Sequence, residues 1–121
     1  MEFNANKPIF KQIADFCIAR VISGEWEPGR RIPSAREMAV TVAVNLHTVL
    51  KAYEELESRG IIISRRGMGF FVADGARETA LGERRREFFD TTLTEVFDEM
   101  KRLDISPDEV MDAYKRYLSD D

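Results

Sequence analysis

Several side chains have types and spacings suited to gripping an anion or reading hydrogen-bonding edges. Arg36 carries a planar guanidinium that can donate a pair of bonds to a purine edge or a phosphate. His47, Thr48 and Lys51 recur at a spacing that puts them on the polar side of one helix, with Asn45 at its start. Arg65 and Arg66 precede Gly67 and Gly69, two residues that permit positive φ and close backbone approach. Arg30, Arg31 and Ser34 are further candidates for contact with a polyanion backbone. Each group also has a plainer use. The helix side could be merely solvated, Arg36 could pair with Glu37 or Glu57, and the glycines could serve only a hairpin turn.

Other chemistries find no support. One histidine and one cysteine, Cys17, cannot build a structural zinc site or an internal disulfide, so no metal is expected. No Ser/His/Asp, Cys/His or phosphate-loop constellation occurs, so neither an enzyme nor a cofactor is expected. No apolar run reaches the ~18 residues of a membrane span, which leads to the expectation of a cytoplasmic protein with no membrane partner. The net charge of −4 is unevenly spread. Residues 1–72 hold ten basic and eight acidic groups, and the remaining 49 hold eight and fourteen. An acidic total therefore does not argue against a polyanion, because local charge decides where an anion docks.

The elements that must position these residues follow from periodicity and caps. Lys7 to Ser23 reads as a helix ended by Gly24. Ser34 with Glu37 forms a capping box that opens a second helix of about two turns. Asn45 caps a third, running to about Arg59, in which Leu46, Val49, Ala52, Tyr53 and Leu56 share the inner side. Two β-branched or aromatic runs, Ile61–Ile63 and Phe70–Val72, flank a turn and predict a hairpin. The expected fold is mainly α: a winged helix-turn-helix of three helices plus a β-hairpin wing over residues 1–75, with the helix-turn-helix at 35–54 and the wing at 61–72. Residues 73–80 read as a linker, and a long helix is expected from Leu81 to Leu103. Its seam of Phe89, Leu93, Val96, Met100 and Leu103 has heptad spacing. A second capping box, Ser106 with Glu109, opens a last helix.

The stretch from Gly24 to Val72 resembles the GntR family of bacterial transcription regulators. The matching residues are Gly24, Pro28-Gly29, Ile32-Pro33-Ser34, Arg36-Glu37, Ala39, Val44-Asn45, Thr48-Val49, Ala52-Tyr53, Leu56, Gly60 and the wing from Arg65 to Gly69. The short tail makes it similar to the YtrA-type branch. Leu46 and Leu50 depart from the polar or basic residues frequent at their positions, and Phe70 from a common Thr.

That resemblance implies a sequence-specific, double-stranded-DNA-binding repressor or regulator, acting as a homodimer on a palindromic operator. It implies DNA contact by Arg36, Asn45, His47, Thr48, Lys51, Arg65, Arg66, Gly67 and Gly69, with backbone contacts from Arg30, Arg31 and Ser34. Residues 76–121 become a two-helix dimerisation tail. Phe88, Phe89, Leu93, Val96, Met100 and Leu103 would form its interface, since two helices alone cannot cover so apolar a seam. A winged-helix module that binds a protein instead of DNA is the alternative. Neither a small-molecule effector nor the operator sequence follows from the residues.

Overall fold

The first helix, α1 (Ile9–Ser23), buries Ile13, Ala14, Cys17, Ile18 and Val21, and Gly24 stops it in the left-handed conformation at φ 87°. This computed structural model describes residues 1–120. Pro8 lies just outside α1 with extended ψ, so the helix starts two residues later than the sequence suggests. The buried amide of Gln12 holds the preceding segment, accepting from Asn4 N–H and donating to the carbonyls of Asn4 and Lys7.

Helices α2 (Ala35–Val42) and α3 (Leu46–Ser58) form the helix-turn-helix. Both halves of the Ser34–Glu37 capping box are present, at 3.1 and 2.9 Å. Between the helices Ala43 takes a left-handed conformation (φ 56°). Val49, Ala52, Tyr53 and Leu56 point into the core against α1 and α2. Strands β1 (Ile62–Arg65) and β2 (Gly69–Val72) pair antiparallel, with Arg65 opposite Gly69. Expected turn residues at both ends thus join the strands, and only Arg66, Gly67 and Met68 remain in the loop. The chain before α2 pairs with the outer side of β2: Ile32 N–H donates to Phe70 O at 3.0 Å and Val72 N–H to Arg30 O at 2.9 Å.

The stretch 73–80 is not a linker. Helix α4 (Ala76–Glu87) begins inside it, and Ala73, Ala76 and Ala80 are buried in the winged core. Their small side chains allow a close approach without forming an apolar stripe of large residues. Arg77 Nε donates to Ile22 O at 2.9 Å, and Glu83 pairs with Arg59, fastening the first turns of α4. Contacts divide the chain into one unit of Met1–Glu83 and another beginning at Arg84.

In the second unit the single long helix is interrupted. A π-helical turn occupies Phe88–Thr92, and α5 follows over Leu93–Leu103. Leu93 N–H donates to Phe88 O, so the wider turn sets Phe88, five residues back, alongside Leu93. Helix α6 (Pro107–Ser119) opens with the Ser106–Glu109 capping box and proline in its first turn. No described side chain of the π turn, α5 or α6 is buried. No described helix is long and apolar enough to cross a membrane.

Candidate nucleic-acid interface

The outward side of α3 is built from its N-terminus. Asn45 Oδ1 accepts from His47 N–H at 2.7 Å, and Thr48 N–H donates to Asn45 O at 3.1 Å. Two of the helix's leading donors are therefore satisfied internally, which leaves the side chains to meet a partner. His47 and Lys51 are exposed and Thr48 is half-buried. These three line one shallow cleft with Ile9 and Phe10 of α1. The Lys51 ammonium lies 4.3 Å from the Phe10 ring centroid, a cation–π contact that aims the charge. Phe10 was not anticipated as a site residue, because nothing local in sequence ties position 10 to position 51.

Charge along α3 is polarised. Its first turn contains no acid, whereas Glu54, Glu55 and Glu57 follow in the second half. Glu55 faces Lys11 at 3.9 Å and Arg59 at 3.6 Å, and Glu57 accepts from the Ser64 hydroxyl at 2.9 Å. A polyanion is therefore met best by the helix tip.

Arg36 is exposed in the first turn of α2, and among the described residues its side chain makes no hydrogen bond or ion pair. Its two plausible internal partners are engaged elsewhere, Glu37 in the capping box and Glu57 with Ser64. The Glu37 carboxyl is held below its ordinary range, chiefly by the hydrogen bond from Ser34 N–H, with the Ser34 hydroxyl and the Arg31 charge adding to it. Ser34 is thus committed to capping.

In the wing, Arg66 is exposed and unpaired among the described residues, and Gly67 has φ 75°. The Arg65 guanidinium stacks 4.7 Å from the Phe71 ring centroid. Arg31 runs across the hairpin: its Nε donates to Met68 O at 3.1 Å. A Cβ on Gly69 (φ 107°) would come within 3.1 Å of that same nitrogen, so the glycine makes room for the brace. Arg30 Nη1 donates to Glu25 O at 2.8 Å. Arg30 and Arg31 are therefore partly used within the unit, while Arg36, His47 and Arg66 keep their side chains uncommitted.

One buried residue ties these parts together. Tyr53 of α3 donates its hydroxyl to Pro33 O at 2.7 Å, next to the α2 cap, and its ring meets Phe70 of the wing edge-on at 5.0 Å. Burial, followed by the nearby Cys17 and Glu37, raises the Tyr53 pKa and keeps the hydroxyl a donor. Cys17, buried in α1, is pushed up to about 12, so its thiol is neutral and structural.

Residues 10–72, which hold α2, α3, the wing and all but the first residue of α1, match the family of bacterial regulatory proteins called gntR. The chain belongs to the GntR family. It is a helix-turn-helix, DNA-binding transcription regulator of that family, which is a family of regulators and not of enzymes. This GntR chain is 34% identical over 116 residues to the HTH-type transcriptional regulator YhcF of Bacillus subtilis (strain 168), covering 96% of its own length and 94% of that protein. Among solved structures, it is similar to a GntR family transcriptional regulator from Listeria monocytogenes, with TM-score 0.78, 32% identity and coverage of 94% and 98% of the two chains. The DNA-binding domain of AraR in complex with operator ORR3 matches 60% of this GntR chain and 88% of its own, with TM-score 0.56 and 29% identity. All the expected DNA-contacting residues of the GntR unit lie within the matched segment.

Proposed function

We propose that this chain is a cytoplasmic, sequence-specific repressor that binds a palindromic operator as a homodimer. The observation that carries the reading is a set of uncommitted groups: among the described residues the side chains of Arg36, His47 and Arg66 are exposed and free of internal bonds, in a unit whose other arginines and lysines make hydrogen bonds, ion pairs or cation–π contacts. The tip of α3 enters the major groove, where His47 and Thr48 read base edges. Asn45 orients that tip by capping it. Arg36 pairs with a guanine edge, and Lys51, Arg65 and Arg66 neutralise phosphates, with Gly67 and Gly69 allowing the wing to approach closely. Arg30, Arg31 and Ser34 act chiefly by holding the wing and α2 in place.

Dimerisation falls to the second unit. Phe88, Phe89, Val96 and Leu103 are between 42% and 59% exposed, which is far more apolar surface than an isolated pair of helices should show water. Phe88 and Leu93 with Val110, Met111 and Tyr114 line an open apolar hollow that a second copy can fill. Repression would follow from occupancy of the operator.

Two titrations test this, one on duplex selected from a random pool and one on scrambled duplex, at two salt concentrations. The expected result is tighter binding of the selected duplex and a steep fall of log affinity with log salt. Affinities independent of salt would sink the reading in favour of a protein partner.

A further inference from the structure

Leu50 is the exposed large apolar residue of α3, at 40% of its surface. It is not one of the buried residues of the core. Leu46, one turn earlier, is half-buried against the core cluster, as are Val44 and Phe70, whereas Leu50 stays exposed. On one side it is flanked by Leu46 and the buried Tyr53, and on the other by His47, Lys51 and Glu54, which are exposed and polar. A single exposed leucine on a surface needs no explanation when that surface stays wet. This one lies in the N-terminal half of the helix assigned above to the major groove, so binding takes it out of water.

The groove offers few places for it. Guanine, adenine and cytosine edges present only donors and acceptors there, and an apolar side chain pressed on them strands those groups without partners. The C5-methyl of thymine is the one apolar group on a major-groove edge. Resting on the DNA-binding reading above, we propose that Leu50 is a specificity-determining residue that packs on a thymine methyl in each half-site. His47 and Thr48 then read by hydrogen bonds while Leu50 reads by shape and apolarity, from the same stretch of helix.

The experiment uses the full chain and a duplex selected from a random pool. Each thymine of the half-sites is replaced in turn by deoxyuridine, which deletes only the methyl group. At one position per half-site, wild-type affinity should fall about fourfold, and about fifteenfold when both half-sites are changed. Leu50→Ala should bind the thymine duplex more weakly and show no further loss with uracil at that position, with an unchanged thermal melt. Leu50→Met, which keeps the apolar reach, should restore the dependence on the methyl. Equal sensitivity of wild type and Leu50→Ala at every thymine, or no sensitivity in either, overturns the assignment while leaving DNA reading intact. A pool that yields no common sequence at all removes the DNA reading and this assignment with it.

Discussion

Residues 1–83 and the segment from Arg84 onward use the same local chemistry and end with opposite surfaces. Each has a complete Ser–Glu capping box, at Ser34–Glu37 and at Ser106–Glu109. In the first, α1, α2, α3 and the hairpin turn their apolar sides on one another, and Ile13, Val49, Tyr53, Leu56 and Ile61 are sealed from water. In the second, Tyr117 is 66% exposed and Leu103 59%. Caps determine where a helix begins, whereas a core needs a further element to close over the apolar stripe. The first unit has three such elements within one chain. Among the described residues the second has α5 and α6 with their apolar stripes still exposed, and we assign the rest of their closure to another copy.

The largest expected effect comes from breaking the uncovered side. Leu93→Glu with Met100→Glu should convert a dimer into monomers in sedimentation at micromolar concentration. Operator affinity should drop about 100- to 10,000-fold as two linked contacts become one. The melt of the winged unit should hardly move. A wild type that sediments as a monomer would undo the contrast between the two units.

Breaking the sealed side should cost stability instead. Tyr53→Ala should lower the stability of the winged unit by about 3–5 kcal/mol through the cavity it leaves, measured by denaturant titration. Tyr53→Phe is subtler, since it deprives Pro33 O of its donor, at about 1–3 kcal/mol. It also sharpens the pH dependence. Cys17 and Tyr53 have raised pKa values in the fold, so their contribution is fully present below the ordinary values of 9.0 and 10.0 and is lost as pH rises through the folded ones. Wild-type stability should therefore decline above about pH 9, and Tyr53→Phe should decline less steeply.

Arg36→Ala tests a group that neither unit needs for folding. It should cost about 1–3 kcal/mol of operator affinity per half-site and relax preference at one base position, with scrambled DNA affected much less. Equal losses on both duplexes would make Arg36 a phosphate clamp. Ser34→Ala should lower stability by about 1 kcal/mol through the lost cap. Because the Glu37 carboxyl sits below its ordinary 4.5, its share is present above that value and fades as pH falls through the folded one. Acid should weaken both proteins, and the gap in melting temperature should persist. The variant keeps the backbone N–H at position 34 that chiefly holds the carboxyl down, and the lost bond from Glu37 N–H to the Ser34 hydroxyl does not titrate. Arg66→Ala should have the smallest effect, a salt slope reduced by about one unit per lost phosphate contact and no change in sequence preference.

Much of this molecule was legible in residues close together along the chain. Ser34–Glu37, Asn45, Ser106–Glu109 and the inner side of α3 are signals spanning three or four residues, and their elements form where those signals stand. The wing was equally plain, since two apolar runs around a glycine-bearing turn leave the backbone little else to do. What tertiary structure decided lies in pairs far apart in sequence. Ala76 and Ala80 look like linker residues until the core of the winged unit takes in their methyl groups. Phe10 could be joined to Lys51, and Arg31 to Gly69, only once the fold had brought their elements together. The π turn at Phe88 shifts a seam whose heptad spacing assumed an unbroken helix. Whether Arg36 is spent on a neighbour or left free depended on which carboxylates had already found partners. Backbone preferences act within about one helical turn, so sequence alone locates the elements. Side-chain commitments are settled by competition among groups that meet only after those elements pack.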